Sequence, residues 1–141
     1  MAIKQQRAGS VGYSGTPLVD KLGIKPGARL QLVSEPKDFA GLLGGLPEGS
    51  TVASRGALDF AMLFVKSQSD LRKRFARLRD RLKSNGVLWV AWPKKTSGVE
   101  TDLTEGVVRA FGLESGLVDV KVCAVDDTWS GLKFVRRLKD R

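Results

Sequence analysis

The chain has 141 residues, enough to bury one real core but not two, and its 42% apolar and 28% charged shares are those of a globular protein. It has no histidine and one cysteine, Cys123, which excludes an intrachain disulfide, a cysteine-based metal cluster, imidazole acid–base chemistry and most zinc or iron sites. The formal charge of +9 favours anionic partners, no apolar run is long enough to span a bilayer, and Met1–Ser10 lacks the apolar core of a secretory signal, so a cytoplasmic protein is expected.

Residues 1–15, with Gly9, Ser10, Gly12, Ser14 and Gly15, read as a flexible N-terminal arm ahead of a single domain over 16–141. Thr16 and Pro17 start a short helix whose apolar side is Leu18, Val19 and Leu22, and Gly23 ends it. A first strand follows over Ala28–Val33, then a short helix over Asp38–Leu43 closed by Gly44 and Gly45. Thr51–Ala53 is a weak strand. Parallel neighbours need a crossover of a dozen or more residues, and only Ser54–Leu58 separate it from the next strand. The weak segment is therefore expected to run antiparallel or not to be a strand.

Asp59–Val65 is almost continuously apolar, which suits a strand buried on both faces. Ser69 and Asp70 cap the longest helix, whose Leu71, Phe75, Leu78 and Leu82 fall at helical spacing, and Asn85-Gly86 stops it. Val87–Trp92 is the next buried strand, with Trp89 and Trp92 pointing to opposite faces. Asp102 with Glu105 predicts a capping box for a helix carrying Leu103, Val107, Val108 and Phe111 and ended by Gly112. Leu117–Val125 and Leu132–Leu138, joined by a short polar loop, make an antiparallel hairpin. Strands alternating with helices and closed by a hairpin predict an α/β protein, a three-layer Rossmann-like sandwich with a mostly parallel sheet.

The order and texture of these segments resemble the class I methyltransferase fold over roughly residues 17–138. Leu22–Leu32 is similar to the approach to that fold's first strand, and Asp59–Val65, Gly86–Trp92 and the closing hairpin to its fourth, fifth and last two strands. Where such enzymes carry a glycine-rich cofactor turn, this chain has Ser34, Glu35, Pro36, Lys37 and Asp38; where they carry an acidic residue for ribose hydroxyls, it has Ala53, Ser54 and Arg55. A second resemblance, to a bacterial family of proteins of unknown function, is carried by Gly12–Leu18, Trp92–Gly98, Thr101–Leu103, Gly116–Asp126 and Trp129–Leu132. It implies a fold and no particular activity.

Ligands of open α/β sheets bind where strands end and helices begin. At such an end, Lys94, Lys95, Thr96 and Ser97 supply two ammonium groups and two hydroxyls, and the helix start near Asp102 adds N–H groups that hold phosphate or carboxylate. The plain alternative is a solvated loop. Gly12 and Gly15 let Tyr13 and Ser14 approach another surface, so the arm either lines the same cleft or is a frayed lead-in to the capped helix. Strand alternation places Asp119, Lys121 and Cys123 on one face, with Cys123 as a small buried residue, and Asp126 and Asp127 start a turn. The helix over Asp70–Lys83 carries Arg72, Arg74 and Arg77 among other cations, and Arg136, Arg137, Lys139 and Arg141 form a basic tail.

The expectation that results is a non-catalytic or regulatory binding module, a monomer or homodimer, that takes an anionic small molecule at Lys94, Lys95, Thr96 and Ser97, with no cofactor and no metal. One alternative is a small enzyme in the same cleft, with Lys95 or Tyr13 as acid–base. Another is a basic nucleic-acid-associated protein that uses Arg72, Arg74 and Arg77.

Overall fold

A computed structural model describes residues 16–141, so the arm with Tyr13 and Ser14 lies outside the described residues. In chain order the elements are α1 (Leu18–Leu22), β1 (Arg29–Val33), α2 (Phe39–Leu43), β2 (Thr51–Val52), β3 (Leu58–Phe64), α3 (Gln68–Arg81), β4 (Leu82–Pro93), a short 3₁₀ turn (Lys95–Ser97), α4 (Glu105–Glu114), β5 (Leu117–Ala124), β6 (Trp129–Arg136) and a terminal 3₁₀ turn (Leu138–Asp140). The strands form one sheet in the order β2-β1-β3-β4-β6-β5, with β2, β1, β3 and β4 parallel and β4-β6-β5 antiparallel.

β3 and β4 lie at the middle of the sheet, and they carry its most continuously buried runs, Phe60–Phe64 and Leu88–Pro93. Along β4, Leu88, Val90 and Trp92 enter one core with Leu71, Phe75 and Leu78 of α3 and Val108 of α4. Trp89 and Ala91 enter the other, with Leu22, Phe39 and Leu43 from α1 and α2. The period of two thus separates the tryptophans as expected and builds three layers. Trp89 keeps its indole N–H satisfied by donating it to the Leu22 carbonyl at 2.8 Å, which ties α1 to the sheet.

The weak segment is a strand, and it is parallel, against both expected alternatives. β2 pairs with β1 and not with β3, so β1 lies between the two candidates and the crossover-length rule for neighbours does not bind them. Being only two residues long, β2 ends level with Leu30, and Phe60 on β3 is also level with Leu30. The short link over 53–57 therefore only rounds the start of β1. Two arginines clamp it: Arg29 donates to the carbonyls of Arg55 at 2.6 Å and Ala57 at 3.1 Å, and Arg81 to those of Ala53 at 3.0 Å and Gly56 at 2.8 Å.

The helix ends also differ from expectation. The α3 cap is Ser67, whose hydroxyl accepts from the Asp70 N–H at 3.1 Å. The helix stops at Arg81 and not at Asn85-Gly86, because Leu82 turns extended and the Arg136 guanidinium takes the Arg79 and Leu82 carbonyls at 2.8 and 2.9 Å. α4 is capped by Thr104, which accepts from the Val107 N–H at 3.2 Å. Asp102 does cap a helix, but a distant one: its carboxylate accepts from the Gln68 N–H at 2.8 Å, at the start of α3. Gly112 does not end α4; it lies inside the helix, buried against Phe134.

Candidate functional site at the carboxyl edge of the sheet

The sheet order reverses between β1 and β3, which run from there to opposite sides, and the crevice of an open α/β sheet lies outside the carboxyl ends at such a point. Three loops converge on that edge: Ser34–Asp38 after β1, Val65–Ser67 after β3 and Lys94–Gly98 after β4. Phe64, the last residue of β3, is buried there, with its ring edge-on to Phe39 at 5.0 Å and to Trp129 at 5.1 Å. This aromatic trio forms the apolar floor on the side covered by α2.

The loop after β4 is held by the hairpin and by itself. The Lys94 N–H donates to the Thr128 carbonyl at 2.7 Å. The Ser97 hydroxyl donates to the Lys94 carbonyl at 2.7 Å and accepts from the Val99 N–H at 3.1 Å. Ser97 is thus a staple of the turn, and Lys95 and Thr96 are left exposed on it. Neither the Lys94 nor the Lys95 ammonium makes an ion pair among the described residues. Beyond the turn the chain folds back over α3: Thr101 donates its hydroxyl to the Lys66 carbonyl at 2.6 Å, and Gln68 donates its amide to the Asp102 carbonyl at 3.1 Å. The first amide of α3 is therefore already occupied by Asp102.

Two features of this edge escaped the reading of the sequence. Ser34 has φ +61°, the one non-glycine residue among those described in the left-handed region, a conformation that costs free energy outside glycine. Lys66 follows the buried β3 at the same edge as Lys94; its place directly after an apolar run and before a cap was the available signal.

Other candidates are dispersed. Asp119 and Cys123 do not share a face. A register shift at Val120 inserts an extra residue in β5, so Asp119 meets Arg109 of α4 at 2.9 Å, while Lys121 and Cys123 turn towards α1. The Arg109 guanidinium, hydrogen-bonded to Asp119, holds that carboxyl below the usual range. Cys123 is buried, and burial pushes its thiol up, which suits an inert core residue. Asp126 starts the hairpin turn by accepting from the Thr128 and Trp129 N–H groups at 2.8 and 2.7 Å. On α3, Arg72, Arg74 and Arg77 are exposed. Of the tail arginines, Arg141 is exposed and the other two are half-buried: Arg136 closes α3, and Arg137 donates to the Leu113 carbonyl of α4 at 3.1 Å. A shallow groove of about 330 Å³ lies between α3 and α4, against Gln68, Leu71, Arg72, Val107 and Phe111. Among the described residues no group of three or more acidic or cysteine side chains is placed to hold a metal ion, and no helix is long and apolar enough to cross a membrane.

No protein-family model matches the chain, and no curated protein matches it. Solved structures do. A SAM-dependent methyltransferase from Aquifex aeolicus superposes with a TM-score of 0.59 at 12% identity, over 83% of this chain and 86% of that one. Magnesium protoporphyrin IX methyltransferase from Synechocystis PCC 6803 with bound SAH gives 0.58 at 12% identity, over 85% and 78%. A methyltransferase from Thermoplasma acidophilum, described as putative, gives 0.55 at 11% identity, over 89% and 76%. At this identity the likeness is one of fold: the chain has the Rossmann-like α/β fold of class I SAM-dependent methyltransferases.

Proposed function

We propose that this methyltransferase-like fold serves here as a non-catalytic or regulatory module that binds an anionic small molecule at the carboxyl edge of its sheet. The observation that carries the reading is the pair Lys94 and Lys95, free of ion pairs among the described residues, on a turn that Ser97 and Thr128 hold at the end of the central strand. Both ammonium groups donate to the ligand, Thr96 adds a hydroxyl, and Ser97 keeps the turn in shape. The neighbours' SAM and SAH are not the ligands this reading favours. The turn after β1 has no glycine, includes Pro36, which has no N–H to offer, and carries Glu35 and Asp38, which repel a ligand carboxylate. The helix after that turn, α2, is only five residues long.

Thermal denaturation with SAM, SAH, nucleotides and phosphorylated metabolites tests this. A phosphorylated or carboxylated compound is expected to raise the Tm, by the equivalent of about 2.7 kcal/mol at a hundredfold excess over Kd, and Lys94→Ala with Lys95→Ala should abolish the rise. An undiminished rise in the double variant would overturn the site. A rise with SAM, accompanied by methyl transfer, would favour the alternative of a small enzyme with Lys95 or Tyr13 as acid–base. A nucleic-acid reading draws on a separate observation, the exposed Arg72, Arg74 and Arg77 on α3.

A further inference from the structure

β5 and β6 place Lys121 and Lys133 directly opposite one another across an antiparallel pair. Like charges in that relation destabilise a sheet, so the pairing runs against the fold's own stability. Both side chains lie on the face covered by α1 and run to its C-terminal turn. Lys121 Nζ donates to the Lys21 carbonyl at 3.4 Å, and Lys133 Nζ is 3.9 Å from where a side chain on Gly23 would begin. Gly23, at φ +84°, closes the helix.

Capping the helix does not account for Lys133. The Val19 and Asp20 carbonyls accept from the Gly23 N–H, Val19 also from Ile24, Leu22 accepts from the Trp89 indole, and Lys21 from Lys121. Every carbonyl of that turn is already satisfied. Lys133 is nonetheless half-buried, and burial first, then the charges of Lys121 and Lys25, push its pKa down. None of Lys25, Lys121 and Lys133 makes an ion pair among the described residues. Lys21 adds its charge from beside the Ala124 carbonyl, 3.3 Å away.

We infer that Lys25, Lys121 and Lys133, gathered at the C-terminal turn of α1, form a second anion site that takes the phosphoryl oxygens of a free polyphosphate. With one Lys121 N–H given to the Lys21 carbonyl, three ammonium groups still offer up to eight donors to a ligand with several charged oxygens in a row, a match that a single carboxylate does not provide. The site is separate from the Lys94 turn: Lys133 pairs with Trp89, five residues before Lys94 on β4, which is about 17 Å along the strand.

Calorimetric titration of the full chain with inorganic tripolyphosphate, at low salt in a phosphate-free buffer, tests the inference. Lys133→Met keeps the apolar stem and removes the charge; it is expected to weaken binding by about tenfold or more, and Lys121→Met likewise. Lys94→Ala with Lys95→Ala removes only the binding that the turn itself contributes, and the event that Lys133→Met weakens should persist in it. Wild-type-like affinity in both methionine variants, no binding by the wild type, loss of binding in the Lys94 and Lys95 variant, or a response to a thymidylate oligomer but not to tripolyphosphate would each overturn it. A second measurement guards against misfolding. In anion-free buffer Lys133→Met should raise the Tm, since it relieves the cross-strand repulsion, and a fall would mark Lys133 as a packing residue and overturn the site.

Discussion

Phe134 lies where a side chain on residue 112 would stand: a Cβ there would come within 2.1 Å of its ring. Gly112 is accordingly the contact that lets α4 settle onto β6, and the Phe75 ring meets Phe134 edge-on at 5.9 Å beside it. Gly106, in the first turn of the same helix, has room for a Cβ, which would make only an ordinary contact with the Thr104 hydroxyl at 3.9 Å. The two glycines should therefore answer the same substitution with opposite signs. Gly112→Ala is expected to lose about 1–3 kcal/mol through overpacking, and Gly106→Ala to gain up to about 1 kcal/mol from helix propensity. Urea denaturation of both variants checks this; a neutral Gly112→Ala would mean that α4 docks differently.

At the scale of elements, the ends of α3 are finished by residues distant in sequence. Asp102 occupies its first amide from 34 positions away, and Arg136 closes its last turn from the far hairpin. The segment between β4 and α4 is thereby fastened to α3 and not to the helix it precedes. Asp102→Ala should cost about 1 kcal/mol and speed hydrogen exchange at the Gln68 amide while leaving Val107 protected. Thr104→Ala should do the reverse. Protection at Gln68 that survives Asp102→Ala would refute the cap. Ser67 remains in place in both variants, so α3 itself is expected to persist.

The molecule as a whole carries its surplus charge unevenly in role. Arg29, Arg81, Arg136 and Arg137 are spent on backbone carbonyls and hold loops and helix ends, a use in which a planar fork of donors exceeds a lysine. Arg72, Arg74 and Arg77 remain at the surface of α3. Under the nucleic-acid reading, replacing these three by alanine should flatten the dependence of log affinity on log salt for duplex DNA by about 2–3. An unchanged slope in a filter-binding or anisotropy titration would reject α3 as the contact face.

The fold was legible from the chain alone because its signals are local. The double-faced apolar run of β3, the alternation through Val87–Trp92, the helical spacing of Leu71, Phe75 and Leu78, and the polar hairpin loop each declare an element within a few residues, and together they admit a three-layer sheet protein with the resemblance already noted. The lysine turn after β4 was visible for the same reason. What the tertiary structure decided depends on residues far apart in sequence. Only the sheet order puts β1 between β2 and β3 and so makes a two-residue strand parallel. Only packing moves Asp102 from its own helix to α3, buries Gly112 under Phe134, and lets one extra residue at Val120 send Asp119 and Lys121 to opposite faces. The juxtaposition of Lys121 with Lys133 is of this kind, since it exists only once two strands are laid in register. Local patterns fix which residues are buried; the partners they find are fixed by the geometry of the assembled layers.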